Sequence, residues 1–543
     1  MYNTGLSLLP LLITLAMAFI TKRVVFSLFC GITSAAFIAA DFSPTNTATL
    51  IIKRIWETTE LNTLVSWKMF MSNWNLFICL FLIILAIIIT LISHSGGAYA
   101  YGNFISKKIN TKKGAETSSL LLSFLFFVDD YFNSLTVGAV MHPITDQYKV
   151  PRAKLAFLVD SMAAPLCILS PVSSWIALII MQLKKSGVSD IVNKDTYVLA
   201  EPFYVYIRTL PFVLYSFIII ATSWFIVRRK ISFGLMAKHE DIAKKTGNLF
   251  GGKDAPHFKI KSVCPTNKNR CSIGDFIFPI STLSISIILG ILYSGGYYLL
   301  GGNNNLTNSF QNAEVPIALF LGGLITWIST SIFLYFRKKL NLESFLKTSL
   351  DGTKLMMPAI IILILAWTLG TLLKDDLLTG QYLAKVLVGN IDIRLFPVMF
   401  FIASACSSFA TGSSWGTVAI FFPIAIPMLM AFLRTSVPAN INEISFLFPV
   451  LGAILSGAVS GDHISPISDT TIMAACSTGC SEVDHVQTQF SYAFPVLIAT
   501  SIAFLVSGFI PWWNIFTNIF VSLLIGIGLC FILLEIMNRI RKK

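Results

Sequence analysis

Five aspartates stand inside or beside long apolar runs, where acidic side chains are rare. They are Asp129, Asp130, Asp160, Asp462 and Asp469. At membrane depth each ionised carboxylate costs roughly 2.5 kcal/mol or more, so such an acid is interpreted first as functional. No Lys or Arg stands in the middle of a predicted crossing or hairpin, and acids without bases predict a cation site. For Asp129 and Asp130, which flank an uncertain turn, a hydrated position at the membrane interface is the alternative.

Two of the apolar runs are interrupted by the same short motif. Residues 170–174 are Ser-Pro-Val-Ser-Ser and residues 465–469 are Ser-Pro-Ile-Ser-Asp. Proline lacks an amide hydrogen and clashes with the preceding turn, so Pro171 and Pro466 predict helix breaks. Irregular backbone at membrane depth is tolerated only where it is buried in protein or lines a cavity. We therefore predict that the freed carbonyls and neighbouring hydroxyls bind a small cation.

Neutral oxygen-bearing side chains in the same segments are the further candidate ligands for a small cation. They are Asn133, Ser134, Ser170, Ser173, Thr411, Ser413, Ser414, Ser465, Ser468 and Thr470. His463 adjoins Asp462 and is a secondary candidate with His142, because histidine titrates near physiological pH. A hydrogen-bonded structural role is the alternative for both histidines. The Ser/Thr/Gly-rich stretch 410–417 predicts a hairpin tip, with a helix-packing patch as the alternative.

Buried carboxylates of this kind could couple two fluxes. Burial disfavours the charged form, and either a proton or a metal cation can neutralise it. The two ligands compete for one negative charge. If reorientation is easy only when that charge is neutralised, the outcome is cation/proton antiport.

The elements that must position these residues are membrane helices. Of the 543 residues, 55% are hydrophobic and 12% charged, whereas a soluble domain is about a quarter charged. The net charge of +13 does not indicate nucleic-acid binding, because the basic residues stand in the short loops between apolar runs. The nine cysteines are scattered and predict no disulfide framework.

Loop charges predict the topology. We expect eleven crossings, at 5–21, 24–42, 74–93, 153–181, 206–228, 275–298, 314–336, 354–373, 446–475, 490–509 and 514–537. Segments 115–144 and 395–433 are predicted re-entrant hairpins, since basic residues flank both ends of the first. The expected location is a bacterial inner membrane, with the amino terminus outside and the carboxyl terminus in the cytoplasm. Thirteen crossings, with both hairpins crossing twice, remain the alternative.

The order of elements predicts an inverted repeat, with the site at the midplane between its halves. The expected regions are 1–73 (scaffold helices and an external loop), 74–228 (repeat 1), 229–274 (basic cytoplasmic loop), 275–353 (connecting helices), 354–509 (repeat 2) and 510–543 (last helix and basic tail). In the loop, His239, His257, Cys264 and Cys271 are spaced too widely for zinc, which predicts a solvated loop. The fold class is an all-α polytopic membrane protein with two hairpins and two broken helices.

Four sequence blocks resemble NhaC-type sodium/proton antiporters of the ion-transporter superfamily. The blocks are 129–138 with 143–146, 160–165 with 170–175, 411–417, and 461–471 (Gly-Asp-His-Ile-Ser-Pro-Ile-Ser-Asp-Thr-Thr). The resemblance covers both repeats and implies a secondary carrier in the lipid bilayer that transports Na⁺ and H⁺ without a cofactor. Carriers of this superfamily often work as dimers, so a homodimer is the possible assembly.

Two alternatives remain open. The same superfamily includes exchangers of organic acids or amino acids, such as malate for lactate, and hairpin-tip amides could bind such an anion. An intramembrane aspartyl protease is disfavoured, because such enzymes characteristically present Gly-x-Gly-Asp. Here the aspartate ends the stretch Gly-Ala-Val-Ser-Gly-Asp at 457–462.

Overall fold

The chain folds into a bundle of apolar helices. The structure is a computed structural model that describes residues 5–21, 24–60, 73–97, 99–100, 104, 109–254, 271–379, 382, 391–433, 437–444, 446–466, 468–510 and 514–542. Within these residues, seven helices are long and apolar enough to cross a membrane, or up to nine if two bent pairs each count as one span. The predicted all-α polytopic membrane fold is confirmed, whereas the number of crossings stays a prediction.

The first half of the described chain has eleven helices. They are α1 (Leu9–Thr21), α2 (Val24–Ala39), α3 (Pro44–Thr59), α4 (Trp74–Ser95), α5 (Lys112–Leu125), α6 (Asp130–Gln147), α7 (Arg152–Leu169), α8 (Ser174–Lys185), α9 (Pro202–Thr209), α10 (Leu214–Arg229) and α11 (Gly234–Thr246). Helices α5 and α6 form a helix–turn–helix over the first predicted hairpin. Whether this hairpin re-enters the same side of the membrane stays a prediction.

The second half of the described chain adds ten helices. They are α12 (Gly274–Ser294), α13 (Leu306–Gln311), α14 (Val315–Phe336), α15 (Leu342–Thr371), α16 (Phe396–Thr411), α17 (Ser414–Leu433), α18 (Leu447–Ile464), α19 (Asp469–Thr478), α20 (Glu482–Phe509) and α21 (Ile515–Lys542). A π-helical turn, Leu372–Asp376, follows α15. Helices α16 and α17 form the second helix–turn–helix, with Gly412 in the left-handed region (φ 62°) at its tip.

Both Ser-Pro motifs interrupt their helices as predicted. Helix α7 ends at Leu169 and α8 begins at Ser174, with a bend of 51° between them. Helix α18 ends at Ile464 and α19 begins at Asp469. Ser170 (φ −87°, ψ 127°) and Ser465 (φ −81°, ψ 128°) adopt nearly the same extended conformation. A following proline disfavours the helical region for the residue before it, which explains this shared geometry.

Burial separates the inner helices from the outer ones. The apolar windows of α17 and α18 are 83% and 94% buried, whereas those of α12 and α21 are only 28% and 22% buried. Helices α17 and α18 belong to the second hairpin and the second broken helix. The elements that carry the motifs therefore form the interior, and the outer helices present their apolar sides outwards.

Close backbone contact joins the second hairpin to the second broken helix. A Cβ on Gly461 would lie 2.1 Å from the Ala405 carbonyl oxygen, and one on Gly457 would lie 2.4 Å from that of Phe401. Any larger residue at these two positions would push α16 away from α18. The glycines thus allow the hairpin to reach the break that follows Ile464.

The helices differ from the expected crossings in three places. The predicted crossing 206–228 is split, because α9 ends at Thr209 and α10 begins at Leu214, with a bend of 44°. Pro211 stands between them and supplies no amide hydrogen to a continuous helix. Helix α20 begins at Glu482 rather than at 490, and α15 begins at Leu342 rather than at 354.

A small parallel sheet was not predicted. Its strands, in the order β1-β2-β3, are β1 (Val188–Ser189), β2 (Val198–Leu199) and β3 (Ala439–Asn440). Val198 pairs with Val188 on one side and with Ala439 on the other. The sheet ties the loop after α8 to the segment before α18.

The basic loop is not simply a solvated connection. Helix α11 buries Met236, Ala237 and Ala243, and its Glu240 contacts the Lys154 ammonium of α7. Lys154 also lies 3.2 Å from Glu116 of α5, and both of these side chains are almost fully buried. His257 and Cys264 of this loop lie outside the described residues.

This buried ion pair predicts a large effect on stability. Lys154→Met should lower the thermal melting temperature of the purified protein, because it leaves the Glu116 carboxylate buried without its cation. Breaking one partner of such a pair costs about 3–5 kcal/mol. Arg229→Gln is the control: Arg229 pairs with Glu535 at 3.1 Å but is 62% exposed, so its loss should change the melt little. Equal melting of the two variants would contradict the structural role assigned to Lys154.

The re-entrant topology of the first hairpin is also testable. In a chain without its native cysteines, we expect Lys113→Cys and Gln147→Cys to be labelled only from the cytoplasmic face by an impermeant maleimide. Both positions are exposed at the two open ends of the α5–α6 pair, and basic residues flank both ends. Labelling of the two positions from opposite faces would show an odd number of crossings instead.

Candidate functional site

The tip of the first hairpin lies against the first helix break. The backbone amide of Ser174, at the start of α8, donates to the Val128 carbonyl at 2.9 Å. The indole of Trp175 donates to Asp130 Oδ2 at 3.0 Å. Asp129 and Asp130 are 1% and 2% exposed, so neither carboxylate is a surface group of the protein. The hydrated-interface alternative is therefore disfavoured for both.

The second break surrounds a carboxylate with hydroxyl groups. Thr470 Oγ1 donates to Asp462 Oδ2 at 3.0 Å, and Thr470 Oγ1 lies 3.0 Å from the Ser468 hydroxyl. Ser468 also caps α19 by accepting from the Thr471 amide at 3.3 Å. Asp462 is 4% exposed. The break thus gathers hydroxyl residues around one buried acid.

Asp160 of α7 joins the two broken helices. Its Oδ2 accepts from Thr471 Oγ1 at 3.2 Å and from Gln489 Nε2 at 2.5 Å. His485 Nε2 lies 3.3 Å from the same oxygen. Asp160 and His485 are fully buried. Asp160 Oδ1 has no hydrogen-bond partner within the described ranges, so this carboxylate keeps one oxygen available for a ligand.

A second histidine lies close to this acid. His463 Nδ1 is 3.1 Å from the Tyr215 hydroxyl of α10, and the His463 carbonyl accepts from Gln489. Gln489 therefore holds Asp160 and the end of α18 with one side chain. This arrangement fixes the imidazole of His463 on a tyrosine, which agrees with a hydrogen-bonded structural role.

The half-helix after the second break packs on the first hairpin. Ser477 of α19 donates to the Ser134 carbonyl of α6 at 2.7 Å, and His142 Nδ1 lies 3.3 Å from the Ser477 carbonyl. A Cβ on Gly138 would lie 1.9 Å from Ser477 Oγ. In the other repeat, α8 packs on α17, where Trp175 and Trp415 have ring centroids 6.4 Å apart. Each half-helix thus packs on the hairpin of the other predicted repeat.

The remaining predicted ligands have mixed surroundings. Ser173 donates to the Cys167 carbonyl at 2.7 Å, Ser465 to the Phe409 carbonyl at 2.8 Å, and the Asn133 amide to the Ser123 carbonyl at 2.8 Å. These three groups satisfy backbone at the breaks and the hairpin tip. The hydroxyls of Ser134 and Ser414 are buried without a hydrogen-bond partner in the described part of the chain.

The other predicted positions lie in more open surroundings or outside the described atoms. Ser170 is half-buried, and Pro171 and Pro466 are exposed although they follow buried helices. Ser413 accepts from the Gly416 amide at 3.1 Å at the second hairpin tip. The side chains of Thr411 and Asp469 lie outside the described residues.

The donor set favours a hard cation. Within the described ranges, no group of three His, Cys, Asp or Glu side chains could hold a metal ion. Carboxylate, hydroxyl and carbonyl oxygens are hard ligands, which suit hard cations rather than soft transition metals.

Two residues of this site were missed from the sequence. His485 and Gln489 contact Asp160, and their spacing of four places them on one face of α20. The predicted crossing began at residue 490, which left both residues in a loop. A polar pair at that spacing next to an apolar run was the signal that could have identified them.

Comparisons with known proteins point to one group of carriers. The sequence model of the Na⁺/H⁺ antiporter family matches residues 166–509. An uncharacterized protein of Haemophilus influenzae is 32% identical over 507 residues, which cover 93% of this chain and 91% of that protein. The malate-2H⁺/Na⁺-lactate antiporter of Bacillus subtilis is 28% identical over 204 residues, covering 37% of this chain and 39% of that protein.

A solved structure shows the same general fold. The MtrF antimetabolite efflux pump of Neisseria gonorrhoeae aligns with a TM-score of 0.51 and 13% identity, over 91% of this chain and 85% of that one. At this identity the likeness supports a transporter fold and nothing about the substrate.

The contact between α6 and α19 gives a test of the site's architecture. We expect Gly138→Ala to lower both the melting temperature and the transport rate, because its Cβ would overlap Ser477 and separate the two helices. Gly528→Ala is the matched control, since no atom lies within 4 Å of a Cβ there and alanine favours helix over glycine by about 1 kcal/mol. A Gly138→Ala protein as stable and active as the control would show that this contact is unimportant.

Proposed function

The chain belongs to the Na⁺/H⁺ antiporter family, and within that family we propose that it exchanges Na⁺ for H⁺ through Asp130, Asp160 and Asp462. Membership of this family shows that the protein is a multi-pass membrane transporter of the cation/proton antiporter type. Its substrate is a small ion, and it is not an enzyme. The amino-terminus-outside orientation and the homodimer stay predictions.

The environment of Asp160 is the observation that carries the proposal. This carboxylate is fully buried and receives neutral hydrogen bonds from Thr471 and Gln489. Among the ion pairs of the described residues, no Lys or Arg contacts Asp130 or Asp160. An acid that is stabilised by a permanent cation has a structural explanation. Asp160 has only histidines, His485 and His463, near it, and the charge of each depends on its proton.

A proton or a sodium ion could serve as the mobile partner of this acid. A buried negative charge is costly, and binding of either ligand removes that cost. Oδ1 of Asp160, together with the hydroxyls of the second break, offers oxygen ligands to Na⁺. A proton on the carboxylate would compete for the same charge. Exchange then follows, because the site is neutral when it is occupied by either ligand.

Asp462 and Asp130 add two further carboxylates to the proposed site. Asp462 lies near enough to Asp130 for their carboxylates to interact electrostatically, although the two residues come from different repeats. Two acids in one buried region disfavour simultaneous ionisation. Binding of a cation or a proton at one acid should therefore change the affinity at the other, which supports a role for both in coupling. Asp129, Asp469 and the hydroxyl residues stay proposed members of the same site.

The Bacillus relative supports these two ions as cargo. Its name includes both Na⁺ and H⁺. Malate and lactate are not part of the proposed cargo, because the aspartates of the site would repel a carboxylate.

The proposal is tested with asparagine substitutions. Asp160→Asn and Asp462→Asn should abolish Na⁺-dependent proton movement in everted vesicles, measured with a pH-sensitive dye. Asparagine keeps the size and most hydrogen bonds but cannot titrate. The melting temperature should be unchanged or higher, because an expensive buried charge is removed. Li⁺ and K⁺ challenges would define the cation.

Asp254→Asn serves as the control, because Asp254 is exposed in the basic loop. This variant should exchange Na⁺ for H⁺ as the unaltered protein does. Unaltered exchange in the Asn variants of Asp130, Asp160, Asp462 and Asp469 would mean that the coupling site lies elsewhere. Loss of both folding and exchange would indicate a structural role for the acid concerned.

A further inference from the structure

The two oxygens of the Asp160 carboxylate have different surroundings. Three groups gather on Oδ2, namely the Thr471 hydroxyl at 3.2 Å, the Gln489 amide nitrogen at 2.5 Å and the His485 imidazole at 3.3 Å. Oδ1 has no hydrogen-bond partner among the described residues, although Asp160 is fully buried. A buried oxygen that receives no donor is costly. A ligand of this acid is therefore expected on the Oδ1 side.

Gln489 has a second buried oxygen without a partner in the same place. The residue is 1% exposed. Its Nε2 donates to Asp160 Oδ2 and to the His463 carbonyl, so both hydrogens of the amide are used. Its Oε1 has no hydrogen-bond partner in the described part of the chain. Asp160 and Gln489 thus touch each other, and each keeps one oxygen that the protein does not satisfy.

The neighbours of Gln489 fix which way its amide points. Asp160 Oδ2 and the His463 carbonyl are both acceptors, and only the nitrogen end of a carboxamide can donate to them. A half-turn of the amide would place Oε1 against these two oxygens and would lose both hydrogen bonds. Oε1 is therefore held on the side away from them, where a hydrogen-bond donor or a cation can satisfy it.

We propose that Gln489 Oε1 is a direct ligand of the transported cation, beside Asp160 Oδ1, and that it determines the cation size that the site accepts. This inference rests on the proposed exchange of Na⁺ for H⁺ and adds a selectivity residue to that site. Amide oxygens are hard, neutral ligands that bind hard cations together with carboxylates. Because selectivity among such cations depends on the size and rigidity of the ligand shell, a fixed amide oxygen is suited to this role.

The rigidity of this ligand comes from the two broken helices. Asp160 stands on α7, and the His463 carbonyl belongs to the last turn of α18. Gln489, on α20, donates to both of them. Oε1 can follow an ion of another radius only if one of these hydrogen bonds is broken. The site therefore resists a change in its size.

The first test removes the oxygen. Gln489→Met keeps the length of the side chain but has no amide. We expect the half-saturating concentration of Na⁺ to rise about tenfold or more, which corresponds to the loss of a contact between a polar group and a charge. It is measured as the saturable increase in the melting temperature of the purified full-length protein with NaCl, with choline chloride keeping the ionic strength constant.

The second test separates a ligand from a residue that only positions Asp160. Gln489→Asn keeps the amide but withdraws it by one methylene group, which widens the space for the cation. A wider space suits a larger ion, so the half-saturating concentration of K⁺ should fall relative to that of Na⁺ in the same melts. A residue that only positions Asp160 would weaken both cations by the same factor and leave this ratio unchanged.

Gln487→Met is the matched control, because Gln487 lies on the same helix and is exposed. It should bind Na⁺ and K⁺ as the unaltered protein does. Equal Na⁺ affinity in Gln489→Met and the unaltered protein would overturn the proposal, and so would an unchanged ratio in Gln489→Asn. If Gln489→Met folds poorly, the ratio in Gln489→Asn decides. Absence of any saturable effect of Na⁺, Li⁺ or K⁺ on the unaltered protein would also overturn it.

The outcome is separable from that of the proposed exchange function, which is measured as proton movement in vesicles. Na⁺-dependent proton movement together with an unchanged cation ratio in Gln489→Asn would refute the ligand role of Gln489 alone. Saturable Na⁺ binding that depends on Gln489, in a protein that moves no protons in response to Na⁺, would refute the exchange function alone.

Discussion

Backbone polar groups at membrane depth must find partners inside the protein, and most of this architecture follows from that constraint. Two largely buried helices end at Leu169 and Ile464, and groups of the protein satisfy carbonyls near these ends. The Tyr206 hydroxyl lies 2.8 Å from the Ile168 carbonyl and 3.1 Å from that of Ser170. Side chains and hairpin tips thus fill the role that solvent has at an ordinary helix end.

The same constraint brings the two predicted repeats together. The first hairpin accepts a backbone hydrogen bond from the first break, and the second hairpin accepts the Ser465 hydroxyl from the second break. The half-helices then cross over, so that α19 packs on α6 and α8 packs on α17. Because hairpins and breaks need each other's polar groups, the acids that stand on them are gathered into one buried region.

The buried charged side chains are of two kinds, those with a fixed counter-ion in the protein and those without one. Lys154, Glu116 and Glu240 form a closed ionic group at one end of α7, and this group fastens the basic loop to the bundle. Asp160 lies further along the same helix with only hydroxyl, amide and imidazole neighbours. Matched charges hold elements in place, whereas a charge without a fixed counter-ion can bind a mobile one. Asp160 is the acid without such a fixed counter-ion.

The sequence by itself determined the membrane fold, the two helix breaks and the acids. These features depend on local properties: an apolar run long enough to span a bilayer, a proline that removes an amide, and a carboxylate within such a run. Only the tertiary structure decided which groups meet. His485 and Gln489 reach Asp160 because α20 begins before its apolar part, and the break at Pro211 depends on how α9 and α10 pack. Likewise, Lys185 ends an ordinary amphipathic stretch in the sequence. Its burial over Trp367 results from the approach of α15, which residues far apart in the chain specify jointly and which no local pattern encodes.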